Sequence, residues 1–243
     1  MKIFVLLFII SQLFFACATA DRDLNTAEGL YDYAREFDEN ERYEIALTKY
    51  AEVKNKFPYS KLATDSELAI ADVYFKRESY AEAEVSYQNF RDLHPKHSRS
   101  DYVLYKVAMS FYMQLPETND RDLTTGKDAI YHFEQLVKLY PQSQYVVEAK
   151  TKRDEIVNKL AEKELYIADF YYNQEKYTAA LRRYESSLAK YPGLGLDPRS
   201  HYGAFLSAKK LNDGQKQKYH AQLLIKKYPK SNEAQKIKNE AGL

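Results

Sequence analysis

Cysteine is almost absent from this sequence: Cys17 is the only one in 243 residues. A disulfide within the chain is therefore impossible, and a lone thiol gives no metal site. Tryptophan is absent, and glycine and proline occur only seven times each, which suits a chain built mainly of helices. The formal net charge is +1, so the chain has no global field that would attract nucleic acid. We expect no nucleic-acid partner.

Tyrosine, in contrast, is unusually frequent, with 23 residues, and aromatic residues recur within a repeated pattern. Four times an alanine is followed four residues later by an aromatic residue and twelve residues later by a proline. Residues four apart share one face of a helix, and proline cannot continue a helix. The pattern predicts helical hairpins in which a small residue packs beside a large one. Its instances are Ala46, Tyr50 and Pro58; Ala83, Tyr87 and Pro95; Ala129, Phe133 and Pro141; and Ala180, Tyr184 and Pro192.

An earlier alanine marks the first helix of each predicted hairpin. In three hairpins it lies twelve positions before the second alanine, but in the third hairpin, from Ala108 to Ala129, the separation is 21. The extra residues fall within residues 115–127, whose turn-forming composition predicts a loop on one face of the repeats. The other first-helix alanines are Ala34, Ala71 and Ala168.

These patterns predict an all-α solenoid of about five helical hairpins. Residues 25–143 would hold the first three hairpins. Residues 144–243 would hold the last two and a closing helix, since a solenoid must cover its last apolar face. Residues 144–172 contain no helix breaker, so we expect a single long helix that joins the two parts. The hairpins occupy the chain and leave no room for a catalytic domain.

The first sixteen residues have the composition of an export signal. Lys2 is followed by a 13-residue apolar segment, interrupted only by Ser11 and Gln12, and then by the small residue Ala16. Spanning a bilayer takes roughly 20 apolar residues, so this segment is too short to be a membrane span. It is typical of a signal peptide that is removed on export.

Cys17 lies where cleavage is expected, and residues 1–16 resemble the signal peptide of a bacterial lipoprotein. The resemblance implies that Cys17 is acylated and that residues 17–24 form the lipidated end and a short tether. Ala18, rather than aspartate, follows the cysteine, which implies sorting to the outer membrane. The alternative is an ordinary signal peptide with an incidental cysteine.

We find no arrangement of side chains in the sequence that is typical of catalysis. His94 and His97 could suggest a metal pair, but Pro95 lies between them and no further ligands cluster nearby. His94 also stands directly before the proline, where other hairpins carry an aromatic residue, and this favours a packing role. We expect neither an enzyme nor a bound cofactor or metal. The rival hypothesis, a wall-modifying enzyme with repeats as a docking arm, lacks a catalytic segment.

The repeated pattern resembles the tetratricopeptide repeat, whose signature combines these small and aromatic positions with a closing proline. In that family the first helix of each hairpin lines a concave, partner-binding surface. The corresponding residues here are charged in the first hairpin and aromatic in the third, which suits an extended peptide with an apolar end. The alternative is that several of them pack between repeats. The candidates are Tyr31, Arg35, Leu68, Asp72, Phe75, Tyr102, Tyr105, Met109 and Tyr112.

Five segments resemble a narrower family, the tetratricopeptide lipoproteins of the outer-membrane β-barrel assembly machinery. The resemblance covers most of the chain up to Pro192. It implies a lipid-anchored scaffold on the periplasmic face of the outer membrane that promotes the folding and insertion of outer-membrane proteins. The segments are residues 93–97, 101–105, 120–122, 140–145 and 160–165.

The resemblance also implies partners. Family members bind the periplasmic repeat domain of the barrel-forming subunit through their carboxy-terminal repeats, and Arg183 matches a family arginine at that interface. They act with other assembly lipoproteins, and their amino-terminal repeats receive the carboxy-terminal targeting segment of unfolded outer-membrane proteins. The alternative function is that of a periplasmic tetratricopeptide lipoprotein that coordinates envelope constriction or cell-wall synthesis.

Overall fold

The computed structural model describes residues 23–241, and every regular element in that range is an α-helix. The signal peptide and the acylation site predicted at residues 1–17 lie outside this range. The helices are α1 (Ala27–Glu39), α2 (Tyr43–Lys56), α3 (Lys61–Lys76), α4 (Tyr80–Leu93), α5 (Ser100–Met113), α6 (Thr124–Leu139), α7 (Val146–Asn173), α8 (Tyr177–Lys190), α9 (Asp197–Lys210), α10 (Gly214–Lys227) and α11 (Asn232–Ala241).

Four hairpins share the same three-residue turn between their helices. One residue of each turn has a left-handed backbone, and the next N–H donates to the carbonyl five positions back, as in the Schellman motif. In the first hairpin Arg42 N donates to Phe37 O at 2.8 Å. Glycine favours this backbone conformation, yet three of the four left-handed residues are glutamates. They are Glu41 (φ +57°), Glu78 (φ +63°), Glu175 (φ +59°) and Asn212 (φ +56°).

The alanine and aromatic positions of the repeated pattern form the core, as predicted. All four second-helix alanines and their aromatic partners are buried, and the four first-helix alanines are fully buried. Paired helices therefore approach closely where the side chains are small. In the fifth hairpin the buried apolar residues include Ala204, Ala208 and Leu224. The all-α tetratricopeptide-type fold is confirmed.

The loop predicted in the third hairpin is confirmed and comprises residues 114–123, between α5 and α6. Its backbone is held by lysines of α7. Lys159 Nζ donates to Glu117 O at 2.6 Å, and Lys163 Nζ donates to Arg121 O. The insertion therefore folds back along the long helix.

Helix α7 has 28 residues, about 42 Å at 1.5 Å per residue, and confirms the predicted long helix. Its first half packs on α5 and α6. There Gly126 leaves room for α7, because a Cβ at this position would lie 2.8 Å from Ile156 Cγ2. The second half contributes Leu165 and Ala168 to a core that it shares with α8 and α9.

Helix α11 closes the carboxy-terminal end, as predicted. Its Ala234 and Ile237 are buried against Phe205 of α9 and Leu224 of α10. The rest of the helix is polar apart from its terminal alanine. One amphipathic helix therefore covers the apolar face that the fifth hairpin would otherwise expose.

The chain divides into two compact units between Ser86 and Tyr87, within α4. The first unit contains α1 to α3 and the second contains α5 to α11. The division predicted at residues 143 and 144, where the long helix begins, stays a prediction.

Candidate partner-binding site

In the first unit, the candidate positions on α1 carry a half-buried tyrosine and an exposed arginine. The Tyr31 ring lies 5.3 Å from the Tyr50 ring of α2, measured between centroids. Arg35 pairs with Asp32 at 2.9 Å and with Glu39 at 3.5 Å, both on the same helix. Exposed pairs of this kind contribute at most about 1 kcal/mol, so Arg35 can exchange them for a carboxylate of a partner.

The candidate positions on α3 divide between core and surface. Leu68 is only 2% exposed, so the expectation that it lines an open groove is wrong: the side chain fills the core. Asp72 and Phe75 are half-buried, and the Phe75 ring meets Tyr80 edge-on at 5.3 Å between centroids. This part of the first unit therefore offers one aromatic and one acidic side chain to a partner.

An ion pair joins α1 to α3 beside these candidates. Lys76 Nζ donates to the two carboxylate oxygens of Asp38 at 2.7 and 2.8 Å. The Asp38 side chain is nearly buried, whereas Lys76 is about half exposed. The charge of Asp38 is therefore neutralised inside the unit.

In the second unit, three tyrosines form a cluster where α5 meets the start of α7; we name Tyr102, Tyr105 and Tyr145 the tyrosine cluster. Tyr105 and Tyr145 stack with 4.6 Å between centroids and 14° between planes, and Tyr102 lies 5.8 Å from Tyr145. The Arg99 guanidinium lies over the Tyr102 ring at 4.3 Å. Burial, and then a hydrogen bond to Glu148, raise the pKa of Tyr105. The cluster is an apolar surface with a cation at its edge.

The candidates in the second unit differ in exposure. Tyr105 and Met109 are 8% and 9% exposed, so packing within the unit accounts for most of their surface. Tyr102 and Tyr112 are half-buried and keep part of their rings accessible. The alternative recognised from the sequence, packing between repeats, therefore holds for Leu68, Tyr105 and Met109. The remaining candidates keep part of their side-chain surface accessible.

Tyr112 connects α5 to the middle of α7. Its hydroxyl donates to Glu155 Oε2 at 2.6 Å, and Lys152 Nζ lies 4.9 Å from its ring centroid. The hydrogen bond from Tyr112 is the main cause that lowers the pKa of Glu155. Beside Tyr112 a cavity of about 290 Å³ is bounded by the insertion loop through Leu115 and by α7 through Ile156. A small apolar side chain of a partner fits a space of this size.

Arg183 lies on α8 and is 41% exposed as a side chain. Its Nη1 is 3.2 Å from Glu164 Oε2 of α7, and Lys190 Nζ is 3.3 Å from the other oxygen of the same carboxylate. Glu164, which stands where the repeat signature has tryptophan, is thus shared by two cations. The sharing leaves a net positive charge at this surface, which suits an acidic partner.

Comparison with known proteins identifies the family of this chain. Residues 23–223 match the family model of YfiO, which is described as an outer membrane lipoprotein. The chain belongs to the YfiO family. Three of the similar relatives carry the name outer membrane protein assembly factor BamD. They come from Neisseria gonorrhoeae (29% identical, covering 89% of this chain and 87% of the relative), Neisseria meningitidis serogroup A (30%, 72% and 72%) and Vibrio cholerae (27%, 67% and 71%).

A solved structure with similar helices is the TPR2AB domain of yeast Sti1 in its pHSP90 complex. It is 11% identical, the similarity covers 86% of this chain and 80% of that chain, and the TM-score is 0.49.

For this YfiO-family chain, sequence reasoning missed Tyr145, Arg99 and Lys152. The transfer of concave positions considered only the first helix of each hairpin. Tyr145 precedes α7 and Lys152 lies within it, whereas Arg99 stands one residue before α5. One signal was available, because residues 140–145 were already recognised as similar to the family. What the motif could not reveal is that Tyr145 stacks on Tyr105.

The described residues offer neither a metal site nor a membrane-spanning helix. Among residues 23–241, no group of three or more histidine, cysteine or acidic side chains could hold a metal ion. Within the same range, we find no helix that combines the length and apolar character needed to cross a bilayer. The site consists of aromatic faces, exposed cations and paired carboxylates. Aromatic residues and arginine are residue types enriched at protein–protein interfaces.

Proposed function

We propose that this YfiO-family chain is a scaffold for the assembly of outer-membrane proteins. The family match over residues 23–223 carries the proposal, together with relatives named outer membrane protein assembly factor BamD. The fold supports it, because repeated hairpins present side chains for binding partners. In this proposal the chain binds and orients its partners and performs no chemistry of its own.

The substrate in this proposal is the carboxy-terminal segment of an unfolded outer-membrane protein. The accessible rings of Tyr102 and Tyr112 and the cavity beside the insertion loop would receive apolar side chains. In the first unit, Arg35 and Phe75 are the corresponding accessible groups. An extended peptide that alternates apolar and polar residues could contact rings and charges in turn.

The second partner is the barrel-forming subunit of the machinery, through its periplasmic repeat domain. Arg183 and Lys190 flank the Glu164 carboxylate and leave a net positive charge on the surface of α8. A carboxylate of the partner could accept two hydrogen bonds from the Arg183 guanidinium, while Glu164 keeps its ion pair with Lys190. Other assembly lipoproteins would bind elsewhere on the second unit.

The location proposed is the periplasmic face of the outer membrane. Acylation of Cys17 would supply the anchor, with each buried CH₂ contributing about 0.8 kcal/mol. The residues that follow are exposed where the structure describes them, at Asp23 and Leu24, as a tether requires.

Photocrosslinking in living cells tests the proposal. A photoreactive phenylalanine analogue is placed at position 102, at position 183 and, as a control, at Tyr131, an exposed tyrosine of α6. We expect unfolded outer-membrane proteins to be captured from position 102 and the barrel-forming subunit from position 183. Position 131 should capture neither. If positions 102 and 183 capture neither unfolded outer-membrane proteins nor the barrel-forming subunit, the scaffold function is wrong. If position 102 captures only the barrel-forming subunit, the substrate role alone is wrong.

A further inference from the structure

Two buried histidines face each other near the carboxy-terminal end of the second unit. His201 of α9 is 6% exposed and His220 of α10 is 2% exposed, and their Nδ1 atoms are 3.1 Å apart. At that distance one Nδ1 must carry a hydrogen and donate it to the lone pair of the other. The contact therefore needs at least one neutral imidazole. We call these two residues the histidine pair.

The charged groups around the histidine pair come from α8, α9 and α10. Glu185 of α8 has Oε1 3.5 Å from His220 Nε2, and the same carboxylate accepts from Lys216 of α10 at 2.8 and 3.0 Å. The Glu185 charge is therefore already balanced by a lysine. Glu185 therefore stabilises a protonated His220 less than an unpaired carboxylate would.

On the other side, Asp197 of α9 faces His201. Asp197 Oδ2 accepts from Gly193 N at 2.8 Å and from the Tyr228 hydroxyl at 2.9 Å. Lys227 of α10 also acts on His201 and opposes its protonation. From α11, the residues in the adjoining core are the apolar Ala234 and Ile237. Both imidazoles are therefore favoured in the neutral form.

The imidazole pKa values follow from this setting. Burial, and then the neighbouring His220, lower the pKa of His201 to about 4 from the ordinary 6.5. Burial also lowers the pKa of His220, against the opposing effect of Glu185. If both imidazoles were protonated, two positive charges would be in contact, and neither Nδ1 would keep a lone pair to accept the hydrogen bond.

The histidine pair also matters for how α10 is held. The buried residues of α10 are His220 and Leu224. One of the two side chains that hold this helix in the core is therefore an imidazole. The pair lines a cavity of about 450 Å³, together with Leu188, Leu223 and Lys227. Water can therefore reach the imidazoles once they are charged. Helices near the end of a fold that bury few side chains are also the parts that open most easily.

We propose that the histidine pair is an acid-sensitive latch that holds α10 and α11 against α9 and releases them as the pH falls towards 5. The direction follows from proton linkage. An imidazole in the open state has its ordinary pKa, so opening takes up protons between pH 6.5 and 4, and opening becomes more favourable as the pH falls. Between pH 7.5 and 5.0, His201 alone increases the opening equilibrium about 30-fold. The latch would make the carboxy-terminal repeats respond to acid, which goes beyond the scaffold function.

Two measurements on the full-length protein test the latch. Long-range nitrogen–proton NMR at pH 7.5 should show one imidazole protonated at Nδ1 and the other at Nε2. Hydrogen exchange, corrected for the intrinsic pH dependence of amides, should show protection of α10 and α11 falling at least tenfold from pH 7.5 to 5.0. Peptides from α1 to α3 are the internal reference and should change little. Two Nε2 tautomers, or unchanged protection of α10 and α11, would overturn the latch.

Variants separate the latch from general acid sensitivity. The double variant His201→Asn with His220→Asn should lose the pH dependence of α10 and α11. The control is His132→Asn, which removes a half-buried histidine of lowered pKa, on α6, and should keep that dependence. If the double variant does not fold, His201→Asn alone is measured instead. It should reduce the fall in protection of α10 and α11 between pH 7.5 and 5.0 by more than half on a logarithmic scale. If the protection of α10 and α11 depended on pH as before in these variants, other groups would be responsible and the proposal would be refuted.

Discussion

Glu78 is one of three glutamates that hold a left-handed backbone in the hairpin turns, with φ of +63°. A side chain with a Cβ raises the energy of this conformation by about 1 kcal/mol or more, and glycine removes that cost. Part of the gain is lost because glycine also frees the unfolded chain. We expect Glu78→Gly to increase the free energy of unfolding by about 0.5 kcal/mol, measured by urea denaturation.

The matched control for this change is Glu82→Gly. Glu82 is also exposed, but it lies in the first turn of α4, where the backbone is helical. There glycine should lower the free energy of unfolding by up to about 1 kcal/mol. If both variants shifted stability in the same direction, left-handed strain would not explain the effect.

Arg183 can be tested against its own neighbour. Arg183→Glu should weaken co-purification of the barrel-forming subunit at least about tenfold, because it places a carboxylate beside Glu164 and opposite the proposed acidic partner. Arg182→Glu makes the same charge change on an exposed residue of the same helix and should have little effect. Thermal melting of both variants would show whether the loss comes from binding or from folding. Equal retention of the subunit by both variants would remove Arg183 from the interface.

Between elements, the contact of α8 with α9 depends on a glycine. A Cβ at Gly203 would lie within 2.7 Å of three ring carbons of Tyr184. The ring cannot move away easily, since its hydroxyl donates to Asp169 Oδ1 at 2.5 Å. Gly203→Ala should therefore lower the free energy of unfolding by about 1–3 kcal/mol, as measured by denaturant titration.

Gly214→Ala is the control for this packing argument. Gly214 begins α10, and no atom lies within 4 Å of the position that its Cβ would take. The change should be neutral or stabilise by a few tenths of a kcal/mol, since alanine is the better helix former. A loss of stability as large as that of Gly203→Ala would show that a β-carbon destabilises this region even without a steric clash, and the Tyr184 ring would then not explain the effect.

Helices of this chain could be predicted from the sequence because their pattern depends on local physics. A small and a large residue four apart, followed by a proline, specify one face and one end of a helix, and Ala46, Tyr50 and their counterparts are buried as the pattern requires. The long helix α7 followed in the same way from the absence of a breaker. The left-handed glutamates could not be predicted, because glutamate carries no turn signal of its own.

The candidate site was only partly predictable. Spacing identifies which residues share a helix face, but it cannot tell how far a neighbouring repeat covers that face. Leu68 is therefore in the core, whereas Phe75, seven residues later on the same helix, remains accessible. Tyr145 was missed for the related reason that its partner, Tyr105, lies 40 residues earlier, and only tertiary packing brings the two rings together.

At the scale of the whole molecule, binding surfaces are useful only if the chain is held at the membrane where its partners assemble. The hairpins carry the proposed partner surfaces, and the sequence places a single acylation candidate, Cys17, ahead of them. Since one acyl chain gives only reversible binding, stable anchoring at Cys17 would need more than one acyl chain or a second attachment to the membrane. The fold and the anchor are then separable parts of the function.

Cys17→Ser tests that separation. It should move the protein from the membrane fraction to the soluble fraction while its melting temperature stays unchanged, because Cys17 lies ahead of the first helix that the structure describes, which begins at Ala27. Ala18→Asp is the matched variant, because it keeps the acylation site but changes the residue after the cysteine from which outer-membrane sorting was inferred. The protein should stay membrane-bound and shift to the inner membrane. Density-gradient fractionation of the envelope distinguishes these outcomes. If Cys17→Ser stayed in the outer-membrane fraction, protein contacts rather than lipid would hold the chain there.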